Sequence, residues 1–97
     1  MKLSQSDISF LKTFFAGKPV KRAYLFGSYA RADADQDSDV DILVELDYSQ
    51  HIGIGFVKMK LDIEEALHKK VDLVSEQAIS KNLFPFINKD KKLIYER

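Results

Sequence analysis

The chain has 97 residues, 45% hydrophobic and 31% charged, so residues 1–97 are expected to form a single small globular domain; any further substrate-binding domain has to come from another chain. Fifteen basic residues balance fifteen acidic ones, and this neutral sum argues against a dedicated nucleic-acid binder; no direct nucleic-acid contact is expected. Cysteine is absent, which excludes disulfides and thiolate metal sites, and neither a membrane-length apolar run nor a signal-peptide pattern over residues 1–15 is present, so the expected location is cytoplasmic.

Ser4 or Ser6 can cap a first helix that runs to about Ala16, with Ile8, Leu11 and Phe15 at helical spacing. Gly17 and Pro19 end it. Val20–Phe26 reads as a strand whose last residues, Ala23, Tyr24, Leu25 and Phe26, are continuously apolar, as in a strand covered on both faces. Residues 28–34 suit a short helix beginning at Ser28 or Gly27, and residues 35–38 a polar loop. Residues 39–46 form the clearest strand. Val40, Ile42, Val44 and Leu46 share one face; Asp39, Asp41, Leu43 and Glu45 share the other.

A second long helix is expected over residues 54–68, with Phe56, Met59, Ile63 and Leu67 as its core stripe. Residues 70–74 read as a third strand. A third helical segment falls within residues 77–88, interrupted or started at Pro85, and Leu93, Ile94 and Tyr95 suit a short last strand. This order predicts an α/β (α+β) fold, a small sheet covered by helices. The segment from Leu83 to Ile87 is richer in large apolar side chains than a short terminal element needs. The simpler expectation is that these side chains complete the core; the alternative is a partner surface.

The chemistry concentrates at two strand ends. Gly27 and Ser28 leave the first strand. Ten residues later Asp39 and Asp41 open the second. Alternation places these two carboxylates on one side of the strand, roughly 6.6 Å apart along it, where both can reach one hard cation. Magnesium prefers such oxygen ligands and shares its shell with phosphates. If the third strand pairs beside the second, Asp72 joins them. Three carboxylates so close repel one another, so without a cation at least one is expected to hold its proton above the usual pKa. Glycine allows positive φ and a close approach of backbone to phosphate, and the Ser28 hydroxyl adds a donor. Arg31 is placed either to reach a phosphate or to pair with a nearby aspartate. His51 and His68 have no second histidine or cysteine at ligand spacing, which argues against zinc.

Gly27-Ser28, the ten-residue gap, Asp39-x-Asp41 and the later Asp72 resemble the nucleotidyltransferase superfamily of DNA polymerase β. The fuller strings Leu25-Phe26-Gly27-Ser28-Tyr29-Ala30-Arg31 and Ser38-Asp39-Val40-Asp41-Ile42-Leu43-Val44 are similar to its minimal nucleotidyltransferases. Ala32 departs from the pattern, since many relatives carry glycine after the arginine; a stiffer loop is the expected consequence. The resemblance implies a palm fold with a mixed sheet. It implies that Asp39, Asp41 and Asp72 are catalytic and hold two magnesium ions, and that Gly27, Ser28 and Arg31 bind the nucleotide, ATP. Asp72 would also activate the attacking hydroxyl. The implied reaction is transfer of AMP to a protein hydroxyl, a tyrosine of a partner HEPN-domain toxin, with this chain as antitoxin in a homo- or hetero-oligomer. Two alternatives stand beside it: a nucleotide-binding antitoxin that neutralises its partner by contact alone, and the catalytic subunit of a small-molecule nucleotidyltransferase.

Overall fold

A computed structural model describes residues 2–97; Met1, the first residue of the expected domain, lies outside them. Helix α1 (Gln5–Ala16) starts at Ser4, whose hydroxyl accepts from the Asp7 N–H at 3.0 Å while Asp7 accepts from the Ser4 N–H, a reciprocal capping box. Strand β1 (Val20–Phe26) leads through helix α2 (Gly27–Arg31) to β2 (Val40–Leu46). Helix α3 (Gly55–Leu67) and strand β3 (Val71–Ser75) follow. A 3₁₀ turn (Glu76–Ala78), helix α4 (Phe84–Asp90) and strand β4 (Lys92–Glu96) complete the described chain.

The four strands form one mixed sheet in the order β3-β2-β1-β4. β1 is antiparallel to both β2 and β4; β2 and β3 run parallel, joined by α3 as crossover. The β2 alternation is as read from sequence: Val40, Ile42, Val44 and Leu46 are buried, and with Leu11 and Phe15 of α1 and Met59, Ile63 and Leu67 of α3 they make the main core. The opposite sheet face is covered thinly. There Phe26, Leu43 and Ile87 form a second, small cluster, with Tyr24, Val74 and Ile79 against it. Along this face Arg22 bridges Glu45 at 3.1 Å and Glu96 at 2.8 Å, and the Tyr24 hydroxyl donates to Glu45 at 2.9 Å, so one polar network ties β1, β2 and β4.

Three expectations change. The short helix after Gly27 closes earlier, because Ala32 turns into the left-handed region (φ 64°) and its N–H bonds the Ser28 carbonyl. The third helical segment divides into a 3₁₀ turn and α4, which starts at Phe84 and carries Pro85 in its first turn, where proline is tolerated. The Leu83–Ile87 stretch does not complete the core. Only Ile87 is buried, while Leu83, Phe84 and Phe86 are 46%, 51% and 70% exposed. A seven-residue helix lying on one face of a sheet presents one side to it, and Ile87 alone occupies that side.

Candidate active site

β1 and β2 lie antiparallel in a register that sets Phe26 opposite Asp41, so Gly27 emerges directly over the Asp41 side chain. Gly27 has φ 71°, and a β-carbon there would collide with Asp41 Oδ2. Glycine is required on both counts, for the backbone turn and for the carboxylate packed against it. The parallel β2–β3 register sets Asp72 beside Asp41. Asp39 precedes β2 by one residue and is exposed, as is Asp72; Asp41 is half-buried. β3 is fixed at its start by the Glu64 carboxylate, which accepts from the Val71 N–H at 2.9 Å, one residue before Asp72.

These positions make Asp41 an uncomfortable anion. Burial first, then the charges of Asp72 and Asp39, push its pKa from 3.8 to about 6, against a lowering by Arg31. The expected proton affinity of the carboxylate group is thus seated on the central member. Among the described residues no three histidine, cysteine, aspartate or glutamate side chains stand as a ready cation site. The expected metal trio is therefore grouped at one sheet end but not closed around a point, which follows from mutual repulsion of carboxylates two of which are free to point into water. The donor set itself, oxygens only with a surplus of negative charge, fits a hard divalent cation.

Arg31 takes the second of its two expected placements. Its guanidinium bridges Asp33 at 3.1 Å and Asp90 of α4 at 2.7 Å, and remains about half exposed. Asp90 is a participant that no local pattern announces, since it lies 59 residues away in sequence. Two hollows lie at this end of the sheet, the first lined by Asp39 and the second by Gly27. One, of about 380 Å³, runs from Tyr29 and Ser38 past Asp39 to His68, Lys69 and Lys70. The other, of about 170 Å³, lies between Gly27 and Arg31 on one side and Leu83 and Phe86 on the other. Lysines beside Asp39 and an apolar wall beside Gly27 both depend on the turn after α3 and on α4 folding back, which sequence spacing does not reveal.

A family model, Polymerase beta, Nucleotidyltransferase, matches residues 9–97. The chain belongs to this nucleotidyltransferase family. A Methanocaldococcus jannaschii protein named as a protein adenylyltransferase is 43% identical over 60 residues, which are 62% of this chain and 63% of that protein, so the match spans less than two thirds of the relative's length. A solved minimal nucleotidyltransferase superposes with a TM-score of 0.78 at 27% identity, over 91% of this chain and 89% of the other. A tri-AMPylated Shewanella oneidensis HEPN toxin in complex with its MNT antitoxin matches with a TM-score of 0.74 at 22% identity, over 98% of this chain and 74% of the solved one; at that identity the likeness is one of fold. The nucleotidyltransferase fold expected from the Gly-Ser and Asp-x-Asp strings is the fold observed.

Proposed function

We propose that this chain is a magnesium-dependent nucleotidyltransferase that moves AMP from ATP to a hydroxyl, a tyrosine, of a partner HEPN-domain protein, and so acts as its antitoxin in the cytoplasm. The observation that carries the reading is the packing of Asp41 beneath Gly27 and beside Asp72: a positive-φ glycine turn sits directly on a half-buried carboxylate that stands in register with another. The named activity of the Methanocaldococcus relative and the AMP carried by the Shewanella toxin support the choice of nucleotide and of a protein acceptor.

In this proposal Gly27 and Ser28 hold the β- and γ-phosphates through backbone N–H groups and the Ser28 hydroxyl. Asp39, Asp41 and Asp72 would hold the magnesium, which when bound neutralises phosphate charge. Asp72, on the exposed edge strand, receives the proton of the attacking hydroxyl. The acceptor oxygen bonds to the α-phosphorus as the bond to the β-phosphate oxygen breaks and pyrophosphate leaves. Asp41 stays ionised once the cation is present, and its packing under Gly27 fixes the distance between carboxylates and phosphate. Most of the rate comes from positioning and charge neutralisation.

The test is label transfer from ATP labelled at the α-phosphate to the HEPN-domain protein of the same organism. Label on that protein with the wild-type chain, lost with Asp41→Asn, is the expected result. Full transfer by Asp41→Asn would remove the metal assignment. Absence of transfer with retained inhibition of the partner would establish the contact-only antitoxin instead.

A further inference from the structure

We propose that the exposed apolar edge at the start of α4, formed by Leu83 and Phe86, is the seat of the protein acceptor and positions its hydroxyl at the nucleotide. This rests on the transfer reading above and names the surface that reading lacks. Large apolar side chains about half or more exposed are costly to leave in water, and Leu83 and Phe86 line one hollow together here.

Two features distinguish this patch from the other exposed apolar residues. The first is continuity with the site. Leu83 and Phe86 wall the hollow whose other side is Gly27 and Arg31, and the Arg31–Asp90 bridge ties α4 to α2. Ile54, Val57 and Leu61 of α3 are also exposed, but α3 packs on the opposite face of the sheet, away from the carboxylates. The second is charge. Lys81 precedes α4 and Lys89 lies in its last turn, both exposed, so the patch is bracketed by cations. The surface that fits is a protein face presenting aliphatic or aromatic side chains among carboxylates.

The reaction also demands an anchor at this place. An acceptor oxygen has to be held roughly 3–3.5 Å from the phosphorus to react efficiently. In the transfer reading the hydroxyl is carried on the surface of a protein, so that constraint falls on how the partner docks. An apolar anchor one helix away from Gly27 meets it. Leu83 and Phe86 are positioning residues in this account and do not touch the reacting atoms.

The experiment compares wild type, Leu83→Ser/Phe86→Ser and the control Leu93→Ser, an exposed apolar position on β4, using the purified HEPN-domain protein of the same organism as acceptor. Circular dichroism checks folding, which exposed substitutions should not disturb. The double variant is expected to raise KM for the acceptor by roughly tenfold or more, with ATP affinity unchanged and the control silent. An unchanged KM would overturn the proposal. So would a fall in ATP affinity that accounts for the loss, since the patch would then serve the nucleotide. If wild type transfers no AMP at all, the transfer reading fails by itself, and direct binding of the HEPN-domain protein decides the docking surface. Weaker binding by the double variant alone would uphold it; equal binding, or no binding by wild type, would overturn it.

Discussion

Asp41→Asn should stabilise the metal-free protein. Asp41 has its pKa raised from 3.8 to about 6 by burial and by the Asp72 and Asp39 charges. A raised carboxyl pKa means that the folded state resists ionisation. Below about pH 4 the group is protonated folded or unfolded and costs nothing. Between about pH 4 and 6 the unfolded chain releases the proton that the folded chain retains, and stability falls as pH rises; above about pH 6 the full cost is present. The difference corresponds to about 3 kcal/mol for a shielded group, and roughly 1–2 kcal/mol after allowing for the water that reaches this half-buried side chain. Asparagine keeps the shape under Gly27 and removes the charge. In chelator at pH 8 the variant should therefore melt about 5–15 °C higher, and at pH 3.5 the two proteins should melt together. Thermal unfolding followed by circular dichroism at both pH values reads this directly. A variant no more stable than wild type at pH 8, or equally favoured at both pH values, would refute the electrostatic account. Adding magnesium with a non-hydrolysable ATP analogue should then reverse the order, because only wild type gains a bound cation.

Gly27→Ala places a methyl group on Asp41 Oδ2 at a residue with φ 71°, so it should lower stability by about 1–3 kcal/mol in denaturant titrations and label transfer by roughly 100-fold or more. Ala32→Gly should do the opposite to stability. Alanine in the left-handed region costs about 1–2 kcal/mol, the extra freedom of unfolded glycine returns part of that, and a net gain of about 0.5–1 kcal/mol is expected from the same titration. Asp47 accepts hydrogen bonds from Ser49 and from Arg97, which hold its carboxyl well below the usual range. The stability this gives is present above about pH 4 and is lost as pH falls through the lower folded value, so in denaturant titrations Asp47→Asn should be less stable than wild type at pH 6 and should show a flatter acid limb, the two converging at the lowest pH.

What was legible in the sequence is what local pattern encodes. β1 was read with its observed bounds because Pro19 and Gly27 bracket a segment that ends in an apolar run, and the end of α1 at Ala16 because Gly17 and Pro19 stop it; of the two candidate caps, Ser4 is the one used. The faces of β2 followed from alternation, including the grouping of Asp41 with Leu43 on the thinly covered side. Ala32 was read only as a stiffening substitution; its φ of 64° appears once α2 has closed after Arg31. The partner of Arg31 and the fate of Leu83, Phe84 and Phe86 were not legible, because both depend on where α4 lands. One buried anchor, Ile87, and one ion pair, Arg31–Asp90, decide that placement. Composition alone favours burying a Leu-Phe-Pro-Phe-Ile run, and a helix this short cannot bury all of it against one sheet face.

The candidate site was legible for a different reason: it breaks the rules that the rest of the chain obeys. A positive-φ glycine is packed onto a carboxylate, and that carboxylate sits in register beside another. Each arrangement is unfavourable to a bare folded domain, and Asp41 carries the penalty as a proton held to about pH 6. In the proposed function the penalty would disappear, since a bound cation would remove the repulsion and a phosphate would use the close backbone approach. The same reasoning extends to α4. Its exposed phenylalanines are unfavourable in water and become favourable only against another surface. The local costs of this fold thus gather at the Gly27 end of the sheet, which is where, in the proposed function, a nucleotide and a protein hydroxyl would have to meet.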